Sequence, residues 1–243
     1  MIEPILSLKS VTKHFGGVTA LENISFDVAE NEVVGLMGPN GAGKTTLLNI
    51  IAGTFPPDSG NIHFKRMDIT RHPAHKSCRL GISRTYQIPR PFVSLSVEDN
   101  LRVAAVFGQP HRAKQLLDFN KILEMTGLWD RKGQLADELP ILSLKKLELA
   151  RALACRPELI LLDEIAAGLT DSEIPSVLET IAGIRAMGIT IIIVEHIMKV
   201  MMKAVDRILV LDKGAALCSG TADEVVNDCR VIEAYFGTQI DGH

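Results

Sequence analysis

A phosphate-binding loop limits the fold of this chain more than any other feature of its sequence. The loop, Gly38-Pro39-Asn40-Gly41-Ala42-Gly43-Lys44-Thr45, matches the spacing G-x-x-x-x-G-K-[ST]. It follows the apolar run 33–37, a predicted strand, and precedes residues 46–51, a predicted helix. Glycines let the backbone turn tightly around an anion, so that amides and the helix N-terminus face phosphate groups. The segment therefore predicts a nucleotide site.

The residue types at the end of the loop indicate how the phosphates are held. Lys44 is expected to reach the β- and γ-phosphates, and the Thr45 hydroxyl is expected to ligate Mg²⁺. The expected cofactors are ATP and Mg²⁺. The residues predicted to bind the nucleotide from this loop are Gly38, Pro39, Asn40, Gly41, Ala42, Gly43, Lys44, Thr45 and Thr46.

Two later apolar runs each end in residues that suit phosphate hydrolysis. Residues 159–162 are followed by Asp163 and Glu164, which is typical of a buried parallel strand that delivers carboxylates at its C-terminal end. Asp163 is expected to hold Mg²⁺ through water, and Glu164 to polarise the attacking water. Residues 191–194 precede Glu195 and His196, and His196 is a candidate contact for the γ-phosphate.

Composition favours a cytosolic enzyme. The chain of 243 residues has a net charge of −3 and a sequence pI near 6.2, which give no electrostatic reason to expect nucleic-acid binding. Its four cysteines form no C-x-x-C pair, which favours reduced thiols in a reducing compartment. No signal peptide and no stretch long enough to cross a bilayer is visible, so direct membrane insertion is not expected.

The order of predicted elements indicates an α/β fold. Short strand-like segments occupy residues 5–37, and residues from about 97 to 154 are predicted to be mostly helical. Strand and helix then alternate, which predicts a mostly parallel sheet covered on both faces. The alternating segments are strand 159–162, helix 172–187 capped by Thr170, Asp171 or Ser172, strand 189–194, helix 197–204 and strand 207–211.

Taken together, the phosphate loop, the inserted helices, the Leu-Leu-Asp-Glu strand and the strand-end histidine resemble the ATP-binding subunit of an ABC transporter. The resemblance covers essentially the whole chain. It implies an α/β P-loop NTPase core with a mostly parallel sheet, an N-terminal antiparallel β subdomain and an inserted helical subdomain. It implies one domain over residues 5–237, with the helical subdomain at about 91–154 and C-terminal helices at 221–236.

The resemblance also assigns roles to residues outside the phosphate loop. Phe15 stands where the family stacks an aromatic ring on adenine, and a strand-end core residue is the alternative. Gln87 matches the glutamine that contacts Mg²⁺ and the attacking water. The implied catalytic residues are thus Glu164, His196 and Gln87, and the implied metal residues are Thr45, Gln87 and Asp163. Residues 87–101 resemble the segment that contacts the membrane permease subunits.

The family's signature sequence, Leu-Ser-Gly-Gly-Gln, is degenerate here. Counted back from Ala150-Arg151, its register falls on residues 139–143, where Pro140 stands at the serine position and Ile141 and Leu142 stand at the two glycine positions. Bulky Ile141 and Leu142 are expected to hinder close approach of backbone amides to a phosphate. The resemblance therefore implies a second, non-identical ATP-binding subunit as partner. Beyond the catalytic glutamate, Ile165 replaces the usual proline and Thr170 the usual aspartate.

Residues 195–211 and 231–237 are similar to those of ATPases for uptake of branched-chain amino acids and related solutes. This similarity implies a subunit that powers import of such amino acids or amides, located in the cytoplasm and peripheral on the inner face of the cell membrane. A lipopolysaccharide-export ATPase and a soluble ABC ATPase of iron–sulfur cluster assembly remain the alternatives. The transported solute itself has no expected contact with this chain.

Overall fold

The computed structural model describes residues 3–108, 118–168 and 170–236. The strands are β1 (Leu6–Phe15), β2 (Val18–Val28), β3 (Val33–Met37), β4 (Ser59–Phe64), β5 (Met67–Asp68), β6 (Ile82–Arg84), β7 (Leu159–Asp163), β8 (Thr190–Val194), β9 (Arg207–Asp212) and β10 (Ala215–Gly220). The helices are α1 (Lys44–Ile51), α2 (Ala74–Leu80), α3 (Val97–Gly108), α4 (Phe119–Met125), α5 (Ile141–Ala154), α6 (Ile174–Ala186), α7 (Met198–Ala204), α8 (Ala222–Val226) and α9 (Cys229–Phe236).

The central sheet contains six strands in the order β10-β9-β3-β8-β7-β6. Strands β6, β7, β8, β3 and β9 are parallel, and only β10 runs antiparallel, against β9. Strands β3, β7 and β8 are buried along their whole length, as expected for a parallel sheet covered on both faces. The arrangement confirms the predicted mostly parallel α/β core, and it brings the carboxyl ends of β3, β7 and β8 together at one edge.

The N-terminal part of the chain contributes a separate antiparallel sheet in the order β2-β1-β4-β5. Its core side chains include Leu6, Leu8 and Phe64, which belong to the same buried cluster as Leu47 on α1 and Leu36 on β3. The small sheet therefore packs against the phosphate-loop side of the central sheet. This layout confirms the predicted N-terminal antiparallel subdomain.

Helices α3, α4 and α5 lie between β6 and β7 in the chain, with short 3₁₀ turns at Trp129–Arg131 and Ala136–Glu138. Apolar side chains on these helices, among them Leu101, Ile122 and Leu147, share one buried cluster with Leu162 of β7. This insertion confirms the predicted helical segment as part of the fold. Residues 109–117 of the predicted helical segment lie outside the described residues, as does Gly237 at the predicted domain end.

Several element boundaries differ from those predicted. Helix α6 begins at Ile174 with Glu173 at its N-cap, not after Thr170, Asp171 or Ser172. The physical reason is that the Thr170 amide and hydroxyl both donate to the Glu173 carboxylate, each at 2.8 Å, which closes a turn before the helix. Strand β10 was not predicted because its alternation is weak and half of its residues are exposed. The capping box at Thr221 and Glu224 does begin α8.

Within the described parts of the chain, every helix is too short or too polar to cross a lipid bilayer.

Candidate functional site

The phosphate loop connects the carboxyl end of β3 to the first residue of α1, as its sequence predicted. Gly38, Gly41 and Gly43 all have positive φ angles, of 147°, 80° and 101°. A Cβ atom at Gly38 would lie 2.1 Å from the Leu211 carbonyl oxygen, and one at Gly43 would lie 2.5 Å from that of Ala20. Both glycines are therefore required by backbone conformation and by space.

The ammonium group of Lys44 lies inside this loop. Its Nζ donates hydrogen bonds to the carbonyl oxygens of Gly38 at 2.6 Å and Pro39 at 2.9 Å. Burial lowers the pKa of Lys44, while the nearby carboxylates of Glu164 and Asp163 act in the opposite direction. The loop thus holds a desolvated cation that can exchange carbonyl partners for the oxygens of a phosphate group.

Two residues predicted from separate parts of the chain, Gln87 and His196, contact the carboxylate of a third, Glu164. Gln87 Nε2 donates to Glu164 Oε2 at 2.6 Å, and His196 Nε2 lies 2.9 Å from Glu164 Oε1. Glu164 follows β7, and its backbone has a φ of 51°, a left-handed conformation that is costly for a residue with a side chain. The surrounding hydrogen bonds hold that conformation, including one from the Glu164 amide to the Val194 carbonyl oxygen.

Asp163 is the last residue of β7 and is almost completely buried. Its Oδ2 accepts a hydrogen bond from Arg84 Nη2 at 2.9 Å, and its amide donates to the Thr85 hydroxyl at 3.0 Å. Burial raises the pKa of Asp163, and the Arg84 guanidinium opposes that effect. The carboxylate is thus oriented by β6, the neighbouring strand.

Phe15 lies at the end of β1 with 47% of its surface exposed. This exposure excludes the alternative of a buried core residue. Its ring makes an edge contact with Phe55, with centroids 5.2 Å apart, and Lys13 Nζ lies 5.5 Å from its centroid. Nearly half of the Phe15 surface is therefore accessible to solvent, next to these two contacts.

The loop residues predicted to bind the nucleotide differ in how far they are exposed to solvent. Ala42 and Lys44 are buried, whereas Asn40, Gly41 and Thr45 are exposed. Thr45 is thus accessible to solvent next to Lys44 in the chain. Gly38 is also buried, and the remaining predicted loop residues, Pro39, Gly43 and Thr46, are partly buried.

Four residues around the site were not predicted from the sequence to have a role. Arg84 contacts Asp163, and Asn49 links Arg84 to the backbone of Thr45. The Tyr235 hydroxyl accepts a hydrogen bond from the Gly38 amide, and buried Glu195 accepts one from the Ala166 amide at 2.6 Å. The sequence offered only their position as a signal of a role in the site. Arg84 stands three residues before Gln87, and Glu195 immediately precedes His196.

The residues present fit a magnesium-bound nucleotide. Mg²⁺ in such sites is bound by one or two protein oxygens together with substrate phosphates and water, not by a cage of protein ligands. The described residues contain no cluster of three or more acidic, histidine or cysteine side chains that could hold a metal alone. One carboxylate at Asp163 and one hydroxyl at Thr45, beside a loop with a buried lysine, match that donor set.

Helix α5 begins at Ile141 with Pro140 at its N-cap, and no side chain among the described residues caps it with a hydrogen bond. Ile141 is exposed, whereas Ser143 is buried. The position that opens this helix is therefore occupied by a bulky apolar residue, and the serine two residues later faces inward.

Comparison with known proteins places this geometry in a family. The sequence profile described as ABC transporter matches residues 21–167, which is more than half of the chain. The chain belongs to the ABC transporter family. It is an ATPase subunit of that family, with the P-loop fold described above.

Curated relatives of this ABC family member match over nearly their whole length. The chain is 36% identical to the high-affinity branched-chain amino acid transport ATP-binding protein LivG of Salmonella typhimurium, covering 98% of this chain and 99% of LivG. It is 34% identical to BraF of Pseudomonas aeruginosa, with the same description, over 98% of this chain and 99% of BraF.

A solved structure of an ABC cassette is also similar. The ADP conformation of an ATP-binding cassette of an ABC transporter superimposes with a TM-score of 0.85 and 30% identity, over 97% of this chain and 99% of that one. A dimeric cassette in a post-hydrolysis state, bound to ADP and Pi, has a TM-score of 0.78 at 23% identity, over 89% of this chain and 98% of that one. The second similarity supports the fold alone.

Proposed function

We propose that this chain hydrolyses ATP to drive import of branched-chain amino acids, or of related amino acids or amides, through separate membrane subunits. The observation that carries the substrate class is the 36% identity to LivG over 98% of this chain. The hydrolytic chemistry is supported independently by the convergence of Gln87 and His196 on Glu164.

The proposed chemistry assigns one task to each group in the site. Lys44 binds the β- and γ-phosphates once it exchanges its carbonyl partners for phosphate oxygens. Glu164 accepts the proton of the attacking water, while Gln87 and His196 hold its carboxylate in place. The exposed ring of Phe15 stacks on the adenine base.

Thr45, Asp163 and Gln87 are the proposed magnesium residues. When bound, Mg²⁺ neutralises the charge that develops on the transferred phosphoryl group. Thr45 offers an exposed hydroxyl, and Asp163 offers a carboxylate that Arg84 already orients. Gln87 donates a hydrogen bond to Glu164, a position that suits a residue in contact with both the metal and the attacking water.

We propose that residues 5–237 form one cassette, with residues 91–154 as its helical subdomain and residues 221–236 as its C-terminal helices. The position of α3–α5 between β6 and β7 supports the first assignment. The contact of Tyr235 on α9 with Gly38 supports the inclusion of the C-terminal helices.

Residues 87–101 form the proposed contact for the membrane subunits. Ile88, Phe92 and Val93 are exposed, at 73%, 46% and 56% of their surfaces, and Phe107 on α3 adds a further exposed ring. Exposed apolar side chains grouped in this way mark sites of protein contact. Docking there would place the chain in the cytoplasm, peripheral on the inner face of the cell membrane.

Substitution at this surface tests the docking proposal. Ile88→Asp is expected to prevent co-purification with the membrane subunits, because a carboxylate would be desolvated in the contact. Met187→Asp is the matched control, since Met187 is exposed at the end of α6 and outside 87–101. Unchanged co-purification of the Ile88 variant would count against this surface.

The degenerate signature supports a non-identical ATP-binding partner. In a closed pair, each ATP lies between the phosphate loop of one subunit and the signature helix of the other. Here the N-terminus of α5 offers Pro140 and the exposed side chain of Ile141. A homodimer would repeat this poor signature at both sites, whereas a heterodimer would leave one complete site.

The purified chain alone separates these assemblies. We expect slow hydrolysis by the isolated chain, and faster hydrolysis when the second cassette and the membrane subunits are present. Cooperative, concentration-dependent ATPase activity in the isolated chain that equals the activity of the assembled transporter would contradict the heterodimer.

Deletion of the gene tests the transport proposal as a whole. We expect loss of ATP-dependent uptake of branched-chain or similar amino acids or amides, restored by the wild-type chain and not by Lys44→Ala. Normal uptake together with a lipopolysaccharide-export defect, or with a loss of iron–sulfur enzymes, would contradict it.

A further inference from the structure

A buried arginine joins the two sides of the proposed magnesium site. Arg84 closes β6, and its side chain is only 6% exposed, while that of its ion-pair partner Asp163 is 3% exposed. Taking a guanidinium out of water is expensive unless its donors are matched by well-placed acceptors. An arginine buried at this point therefore needs a full set of partners.

Arg84 has such a set, and its partners lie on β7, on α1 and in the segment that follows β6. Nη2 donates to Asp163 Oδ2 at 2.9 Å on β7, and Nη1 donates to Asn49 Oδ1 at 2.5 Å on α1. Nε donates to the Thr85 carbonyl oxygen at 3.2 Å, and the Tyr86 ring lies 5.1 Å from Cζ. Only the planar, forked donor set of arginine reaches the first three acceptors at once.

Asn49 continues this connection to the phosphate loop. Its Nδ2 donates to the Thr45 carbonyl oxygen at 2.8 Å, one turn back along α1. A chain of side-chain hydrogen bonds therefore runs from Thr45 through Asn49 and Arg84 to Asp163. Its two ends are the residues proposed to supply the hydroxyl and the carboxylate for Mg²⁺.

We infer that Arg84, acting through Asn49, is a positioning residue that holds Asp163 and Thr45 at the separation required to bind magnesium with the nucleotide. This inference rests on the proposed function of the site. Arg84 binds Oδ2 of Asp163, and Oδ1 is the oxygen that would bind the metal. Residues that orient metal-binding groups in this way typically change metal affinity by 10–100-fold when replaced.

The alternative is an ion pair that merely stabilises the sheet. A stabilising ion pair would affect nucleotide binding equally with and without magnesium. A positioning pair would affect only the magnesium-dependent part, because Lys44 and the loop amides bind phosphates without it. The two roles are thus separated by the metal dependence of binding.

The experiment measures binding of a non-hydrolysable ATP analogue by calorimetry, first in EDTA and then over a titration of Mg²⁺. For Arg84→Lys we expect the half-saturating Mg²⁺ concentration to rise by about tenfold. Affinity in EDTA is expected to stay unchanged. Arg207→Lys is the matched control, because Arg207 makes a comparable ion pair, Nε to Glu32 Oε1 at 2.6 Å, away from the site.

Asn49→Ala tests the other end of the bridge and keeps the buried ion pair intact. We expect it to raise the Mg²⁺ requirement in the same direction, so a failure of the Arg84 variant to fold would not prevent a decision. An unchanged Mg²⁺ requirement in folded variants, or an equal loss of affinity in EDTA, would overturn the inference. Absence of Mg²⁺-dependent binding in the wild-type chain would instead contradict the proposed function itself.

Discussion

The Gly38 amide donates a hydrogen bond of 2.8 Å to the hydroxyl of Tyr235, a residue 197 positions later in the chain. Gly38 opens the phosphate loop, and Tyr235 lies on α9 at the end of the described residues. The C-terminal helix is thereby attached to the first turn of the loop. The Tyr235 hydroxyl accepts the hydrogen bond of this amide at the position where the chain leaves β3.

We expect Tyr235→Phe to lower the free energy of unfolding by about 1 kcal/mol, because the Gly38 amide loses its acceptor. Urea unfolding at equilibrium measures this difference. Tyr86→Phe is the matched control, since Tyr86 is exposed and its contact with Arg84 is made by the ring. Equal effects of the two substitutions would show that the Gly38 contact contributes nothing specific.

Lys44→Ala should abolish ATP binding or hydrolysis. The loop then loses the ammonium group that donates to the carbonyl oxygens of Gly38 and Pro39, and with it the positive charge proposed to bind the phosphates. Nucleotide binding by calorimetry, with ATPase rates alongside, provides the measurement. Lys76→Ala, at an exposed lysine on α2, serves as the control. Wild-type affinity and turnover in the Lys44 variant would remove this lysine from the site.

Glu164→Gln should keep nucleotide binding and slow turnover by roughly 10²–10⁴-fold, the range for loss of a general base. The amide retains oxygen and nitrogen atoms that can contact Gln87 and His196, so the site should keep its shape. Binding and single-turnover hydrolysis are measured on the same preparation. A parallel loss of nucleotide affinity would make Glu164 a structural carboxylate, and full activity would exclude it from the mechanism.

Glu195→Gln should make stability at neutral pH greater than in the wild-type chain. Burial, assisted by the nearby Glu164 charge, raises the pKa of Glu195 above its ordinary value, so the folded state binds the proton more tightly than the unfolded state. That carboxyl group therefore costs stability as pH rises through its folded pKa. Glutamine keeps an acceptor for the Ala166 amide and carries no charge.

Urea unfolding of Glu195→Gln and wild type, compared from acid to neutral pH, measures this effect. The stability difference should grow as pH rises and vanish in acid, where Glu195 is protonated in both states. Asp228→Asn is a control of opposite sign, because hydrogen bonds from Arg230 lower the pKa of Asp228 to about 2. In the wild-type chain the Asp228 carboxylate stabilises the fold at a pH above the pKa that Asp228 has in the unfolded state. This stabilisation is lost as the pH falls towards 2. A pH-independent difference for Glu195→Gln would contradict the prediction.

The sequence alone was sufficient for the features that depend on local spacing. The glycine positions of 38–45 indicate a phosphate loop, because φ angles and close backbone approach are properties of single residues. Alternating apolar runs and helical periodicity indicate the parallel sheet. Parallel strands share the edge at which they end, and in the structure the polar residues after β7 and β8, Glu164 and His196, are in contact at that edge.

Only the tertiary structure decided the contacts that local pattern does not encode. The bridge from Arg84 and Asn49 to Asp163 and the hydrogen bond from Gly38 to Tyr235 each join elements far apart in the chain. Such pairs depend on which elements pack side by side and on where a side chain can find a buried partner. Periodicity identifies the face of each element that is buried, and packing alone determines which polar groups meet on that face.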